Sequence, residues 1–145
     1  MVKRVTHVES ACGIARSVDI IGDGWSLLIV RDALEGARRF LDFQRASGVS
    51  KTILSTRLRH LVDAGVMRID ERDGHHNEYE LTDKGRDLFT VLVALRQWAN
   101  IYTFDPEEER AEYIDTVAGD PLAAIVIRAA DGRAIGPADA TVARP

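Results

Sequence analysis

Several residue types and motifs are scarce in this chain of 145 residues, and each absence excludes a class of protein. The single cysteine, Cys12, excludes an intrachain disulfide and therefore a disulfide-stabilised secreted scaffold. No apolar run approaches the ~20 residues that a membrane-spanning helix needs. The opening MVKRVTHVESACG lacks the apolar segment of a secretory signal. We therefore expect a cytoplasmic protein with no membrane partner.

Motifs of known catalytic chemistry are also missing. The chain has no HExxH pair, no phosphate-binding loop and no apparent Ser/His/Asp or Cys/His set. Gly22 and Gly24 follow a predicted helix rather than a strand, and the third glycine of a dinucleotide-binding loop is absent. The adjacent His75 and His76 lie in a predicted turn, where two neighbouring imidazoles seldom converge on one ion. We expect a protein that is not an enzyme and that has no cofactor and no metal site.

The charge of the chain is unevenly distributed. The net charge is −4, but residues 1–104 carry 15 Lys and Arg against 14 Asp and Glu, whereas residues 105–145 carry 4 against 9. Between Arg38 and Arg59, six cationic side chains stand against one anionic side chain, Asp42. A local excess of this kind attracts a polyanion even when the whole chain is acidic.

Hydrophobic periodicity predicts helices, one hairpin and a further long helix in a definite order. The chain length suits one compact domain with an appendage. In the final helix, apolar residues at i, i+4 and i+7 spacing form a face wider than one small domain needs, which indicates a partner helix. The predicted elements are helices over 12–21, 25–34, 40–46 and 50–64, strands within VMRIDER and EYELT joined by DGHHN, and a long helix over 83–104.

The helix predicted to begin at the N-cap Ser50 has two different faces. Leu54, Leu58 and Leu61 fall in one narrow stripe, which is typical of a side packed on a core. The opposite side carries polar side chains that are free to meet a partner: Thr52, Thr56, Arg59 and Asp63, flanked by Ser55 and His60. A helix–turn–helix followed by a hairpin is the winged-helix arrangement, whose second helix enters the major groove of DNA.

The polar face and its neighbours supply the candidate contacts with double-stranded DNA. Short hydroxyl side chains and Arg59 suit base edges, whereas Lys51 and the Arg38-Arg39 pair suit phosphates. Arg57 lies nearer the apolar stripe, so an ion pair with a carboxylate is an equal alternative for it. The predicted DNA-binding residues are Arg38, Arg39, Lys51, Thr52, Ser55, Thr56, Arg57, Arg59, His75 and His76.

Residues 9–104 resemble the HxlR-type winged helix–turn–helix regulators, which are relatives of the MarR group. The resemblance rests on anchors that recur in order within CGIARSVDIIGDGWSLLIVRDALEGARRFLDFQRASGVSKTILSTRLRHLVDAGVM and on the later YELTDKGRDL. The anchors are Cys12, Ala15-Arg16, Asp19 to Gly22, Trp25, Leu27 to Ile29, Arg38 to Phe40, Leu54 to Leu58 and Ala64-Gly65. The resemblance implies a dimeric, sequence-specific transcription regulator, usually a repressor or activator of a nearby operon.

We therefore predict a mainly α fold with a β-hairpin wing over residues 9–104, acting as a homodimer on an inverted repeat in double-stranded DNA. Residues 105–145, which begin with the charged boundary DPEEER, are predicted to form a small β-rich extension. Some relatives resemble this extension and carry cysteines that suggest a metal-binding ribbon. The present extension has no cysteine, so we predict no metal there.

Two alternatives stay open. In the first, the protein is an effector- or redox-sensing regulator. Cys12 begins a predicted helix, where the dipole favours a thiolate, and some HxlR-type members sense oxidants through a cysteine in this position. A small-molecule effector that binds between the dimer helices and the tail would also make the protein a sensing regulator.

In the second alternative, the protein is a protein-interaction module that has kept the fold and lost DNA binding. Thermal shift with metabolites would favour the first, and capture of a protein partner without DNA binding the second.

Overall fold

The computed structural model describes residues 5–71 and 76–143, and within these ranges it contains six α-helices, one two-stranded sheet and one short 3-10 helix. The chain divides into two compact units, Met1–Leu92 and Val93–Pro145. No helix in the described ranges is both long and apolar enough to span a bilayer. The elements are α1 (Gly13–Ile21), α2 (Ser26–Leu34), α3 (Phe40–Ser47), α4 (Lys51–Asp63), β1 (Met67–Asp70), β2 (Glu78–Leu81), α5 (Asp83–Arg86), α6 (Phe89–Tyr102) and the 3-10 helix Pro137–Asp139.

The first unit is built around one hydrophobic core to which α2, α3, α4 and the hairpin contribute. The leucine stripe predicted for α4 is confirmed, because Leu54, Leu58 and Leu61 have no exposed surface. Phe43 of α3 is equally buried and meets the ring of Tyr79 edge-on, with the ring centroids 6.2 Å apart. The core thus holds α4 by one side only and leaves its opposite side at the surface.

The hairpin of β1 and β2, called the wing below together with its connecting loop, is anchored at its base. Met67 pairs with Leu81 in an antiparallel register, and both side chains are buried. On the solvent side, Arg68 Nη2 lies 2.8 Å from Glu80 Oε2 across the strands. The tight turn predicted at Asp73-Gly74 lies outside the described residues.

The prediction of one long helix over 83–104 is wrong, because the chain forms the short α5 and then the separate α6. Thr82 caps α5 as predicted, since its hydroxyl accepts a hydrogen bond from the Gly85 amide at 3.2 Å. Gly85 approaches the hairpin so closely that a Cβ atom there would lie 2.2 Å from the carbonyl oxygen of Val66. The Leu88 amide then bonds to the Gly85 carbonyl in a tighter turn, and the helix starts again.

The second unit contains most of α6 and the C-terminal extension, whose predicted β character is not borne out. In residues 105–143 the structure has no strand, only the isolated antiparallel bridges Ile114–Pro121 and Arg128–Ala134. The side chain of Gln97 donates to the Ala123 carbonyl at 2.9 Å and accepts from the Ile125 amide at 2.8 Å. The side-chain amide of Gln97 in α6 therefore forms the hydrogen bonds with the Ala123 carbonyl and the Ile125 amide that a neighbouring strand would form in a sheet. The division of the chain at Val93 instead of after Phe104 accords with these contacts.

Candidate nucleic-acid interface

A short turn sets α4 at an angle to α3 and brings it to the surface. Gly48 ends α3 with φ +65°, a left-handed conformation that glycine adopts without steric cost. The next residue, Val49, is buried and anchors the turn in the core. Ser50 is the N-cap of α4, as predicted, and its hydroxyl accepts from the Ile53 amide at 3.4 Å. A three-residue turn containing glycine between two helices is typical of a helix–turn–helix.

The side of α4 away from the core carries exposed polar residues that include Asp63. We call five of the others the outer face of α4: Lys51, Thr52, Ser55, Thr56 and Arg59. All five were predicted as DNA contacts. The hydroxyl of Thr56 donates to the carbonyl oxygen of Thr52, one turn earlier, at 2.9 Å. The outer face thus combines two cationic side chains with three hydroxyls short enough to approach another molecule closely.

Arg57 differs from its neighbours because it is paired inside the unit. Its Nη1 lies 3.5 Å from Asp23 Oδ2, and the two side chains are 22% and 16% exposed. The carboxylate also accepts hydrogen bonds from the amides of Trp25 and Ser26, at 2.9 Å and 3.0 Å, and from the Ser26 hydroxyl. The structural pairing that the sequence left open is therefore present, and it connects α4 to the start of α2.

The ionisation of Asp23 follows from this environment. Burial raises the pKa of its carboxyl. The hydrogen bonds from Ser26 and Trp25 and the charge of Arg57 together lower the pKa by more than burial raises it, so the pKa of Asp23 lies below its ordinary value. Asp23 is thus held as an anion. The anion in turn keeps Arg57 turned toward α2, and any contact of Arg57 with DNA competes with this ion pair.

The exposed pair Arg38-Arg39 lies in the loop before α3 and is bonded to the wing. The amide of Tyr79 in β2 donates to the Arg38 carbonyl at 2.7 Å, and Arg39 Nε lies 3.2 Å from Glu78 Oε1. Asp42 accepts from the Arg39 and Arg38 amides at 2.9 Å and 3.2 Å, and these bonds lower the pKa of its carboxyl. These hydrogen bonds hold the backbone of the loop in place, and the exposed side chain of Arg38 extends from that fixed backbone.

A cleft of about 780 Å³ lies between α3 and the wing. Arg39, Arg45 and His76 line it and are exposed, and the acidic residues Asp42 and Glu71 line it as well. The structure thus places Arg45 beside the predicted contacts Arg39 and His76. Arg45 was counted in the local charge excess but was not assigned a contact, because its position on α3 decides which surface it reaches. The predicted contact His75 lies outside the described residues.

Cys12, the predicted redox residue, is exposed and stands at the N-cap of α1. Its side chain makes no capping hydrogen bond, and its amide donates to the Ser10 hydroxyl at 3.1 Å. The thiol is therefore accessible to a reagent from solvent, as far as the described residues show.

Comparisons with known proteins agree with this geometry. The sequence matches the family described as HxlR-like helix-turn-helix over residues 20–108. An uncharacterised HTH-type transcriptional regulator of Mycobacterium tuberculosis is 39% identical over 108 residues, which cover 73% of this chain and 68% of that protein.

Solved structures show the same similarity. The crystal structure of PA1607, described as a candidate transcription factor, matches with a TM-score of 0.93 at 46% identity and covers 97% of this chain and 100% of its own. PA1374 from Pseudomonas aeruginosa, also described as a candidate transcription factor, matches with a TM-score of 0.65 at 33% identity and covers 92% of each chain. The redox regulator HypR in its oxidised form matches with a TM-score of 0.52 at 26% identity, over 62% of this chain and 96% of its own.

Proposed function

Because the chain belongs to the HxlR-like helix-turn-helix family of transcriptional regulators, we propose that it acts in the cytoplasm as a homodimer on an inverted-repeat operator in double-stranded DNA. The observation that carries this proposal is the outer face of α4. Its exposed cations and hydroxyls are backed by leucines with no exposed surface, so the helix can approach DNA without leaving its own core.

The contacts divide by chemistry. The major groove, about 12 Å wide, admits one helix, and short side chains near the start of that helix reach base edges. We assign base contacts to Thr52, Ser55, Thr56 and Arg59, since a guanidinium can donate two hydrogen bonds to guanine. Phosphate contacts are assigned to Lys51, Arg38 and Arg39. Further DNA contacts are proposed for His76 and, from the sequence alone, for His75. Arg57 serves mainly to hold α4 through Asp23.

Exposed apolar residues of α6 support the homodimer. Leu95, Trp98 and Tyr102 are 45%, 58% and 69% exposed, and their spacing of three and four places them on one stripe of the helix. Arg96 is the only charged residue in α6. Covering such a stripe gains about 25 cal/mol per Å² of apolar surface, and a second copy of the same helix presents a matching stripe. A two-fold homodimer that reads an inverted repeat would place its two copies of α4 about 34 Å apart on one side of the duplex.

Selection of bound sequences from random double-stranded DNA tests the proposal directly. We expect an inverted repeat whose half-sites are separated by about one helical turn. Arg59→Ala should lose base preference at one position of each half-site, whereas Arg133→Ala, which removes an exposed arginine from the extension, should not. If the wild-type protein enriches no sequence, the proposed function is wrong.

A redox-sensing role of Cys12 is the second candidate. Its exposure at the start of α1 favours it, and one structural neighbour is a redox regulator. Because the chain has no other cysteine, an intrachain disulfide cannot form, and oxidation would yield a sulfenic or higher acid, an intersubunit disulfide or a mixed disulfide. Diamide should change operator affinity in the wild type and leave Cys12→Ser unaffected. An inert thiol in a titration of the native protein would exclude the role.

A further inference from the structure

The hydroxyl of Thr56 can only accept further hydrogen bonds. Its proton is already used, since Oγ1 donates to the Thr52 carbonyl at 2.9 Å. A hydroxyl carries one donor and two acceptor lone pairs, so the oxygen that remains at the surface can only accept. Threonine is branched at Cβ, and this internal bond also selects one side-chain rotamer.

The other two hydroxyls of the outer face of α4 are different. Among the residues described, neither the Thr52 nor the Ser55 side chain takes part in a hydrogen bond, and both are exposed. Their protons can turn toward an acceptor or away from a donor as a partner requires. The restriction to accepting is therefore a property of Thr56 and not of the whole face.

In the major groove, a hydroxyl that can only accept can bond to the exocyclic amino group of a base pair but not to its keto oxygen. Adenine N6 and cytosine N4 are donors, whereas thymine O4 and guanine O6 are acceptors. We infer that Thr56 recognises an exocyclic amino group, that of adenine or cytosine, on the strand it contacts. The inference rests on the proposed DNA binding and assigns the chemistry of one position in each half-site. Donation to a keto oxygen would require the bond to Thr52 to break.

A double-mutant cycle between Thr56 and the base tests the inference with the full-length protein and the selected operator. Thr56→Val keeps the shape of the side chain and removes the hydroxyl, and Thr56→Ser keeps both the hydroxyl and its bond to the preceding turn. The position contacted is the one at which Thr56→Val changes the base preference. At that position of one half-site, the first DNA lacks the exocyclic amino group, because purine replaces adenine or 2-pyrimidinone replaces cytosine. A second DNA keeps the amino group and lacks the keto oxygen of the opposite base.

Loss of the amino group should weaken binding by about five-fold for the wild type and for Thr56→Ser, the size of one net hydrogen bond. The same change should leave the affinity of Thr56→Val unaltered. Loss of the keto oxygen should affect the wild type and Thr56→Val equally. Ser55→Ala is the matched control, because it also removes an exposed hydroxyl and should leave the coupling at the Thr56 position intact.

The inference is overturned if the coupling falls on the keto oxygen, if no coupling appears, or if Thr56→Val changes the preference at no position. In each of these outcomes the wild type still binds its operator and the proposed function stands. A wild-type protein that binds no specific sequence refutes the proposed function itself.

Discussion

Replacing Asp23 by asparagine removes the negative charge that holds α4 to the start of α2, while the side chain keeps its shape and one acceptor oxygen. In the structure, Asp23 lies 3.5 Å from Arg57 and accepts hydrogen bonds from Ser26 and Trp25. Both partners of the ion pair are less than a quarter exposed. The neutral amide would therefore leave the Arg57 guanidinium without its counter-ion in a partly dry environment.

The expected cost lies between two limits. Exposed ion pairs contribute about 0–1 kcal/mol, whereas removing one partner of a fully buried pair costs about 3–5 kcal/mol. The Asp23–Arg57 pair is largely but not fully buried, and the hydrogen bonds to Asp23 lose their charge-assisted part. We therefore expect Asp23→Asn to lower the free energy of unfolding by about 2 kcal/mol at neutral pH.

This cost should depend on pH in a definite direction. The pKa of Asp23 is lower in the folded protein than its ordinary value of 3.8, so the folded state binds this proton less readily than the unfolded chain. The stabilisation is then fully present above the ordinary pKa and disappears as the pH falls through it toward the folded value. The difference between the wild type and Asp23→Asn should be constant near neutrality and shrink in acid.

Urea unfolding followed by circular dichroism, at neutral pH and again in acid, measures both effects. Asp131→Asn is the matched control. The pKa of Asp131 is also lowered, chiefly by the Arg133 side chain, and the two side chains lie 2.9 Å apart, but this pair is exposed and should contribute little to stability. The reasoning fails if Asp23→Asn costs no more than Asp131→Asn at neutral pH, or if its cost persists unchanged in acid.

Three further outcomes are expected. Lys51→Ala should weaken binding to all DNA sequences alike. It should also reduce the magnitude of the slope of log affinity against log salt by about one for each protein copy, where the total slope is about −5 to −7 if six to eight phosphates are neutralised. An unchanged slope would contradict a phosphate contact. Trp98→Glu should yield a monomer in analytical ultracentrifugation, because a charge in the apolar stripe of α6 cannot be buried unpaired, and a variant that stays dimeric would show that this stripe is not the interface. Gly85→Ala should lower the free energy of unfolding by about 1–3 kcal/mol, because its Cβ atom would meet the Val66 carbonyl, and equal urea midpoints would argue against that close approach.

Much of the fold and of the candidate site could be predicted because it depends on local pattern. An amphipathic helix buries one stripe, so the positions of Leu54, Leu58 and Leu61 sufficed to predict which side of α4 faces solvent. Ser50 and Thr82 are N-caps at the helix starts predicted for them, although the helix after Thr82 is only the short α5, since capping involves only residues within one turn. Whether the outer face of α4 touches DNA stays a prediction.

The sequence by itself thus determined the order of the elements from α1 to β2, the exposed face of α4 and the family. Tertiary structure alone decided that Arg57 pairs with Asp23, that Gly85 lies against the Val66 carbonyl, and that the extension bonds to Gln97 rather than forming strands. Each of these depends on a close contact between residues far apart in sequence, which hydrophobic periodicity does not encode. Periodicity determines which side of an element is buried, and only packing determines which atoms meet.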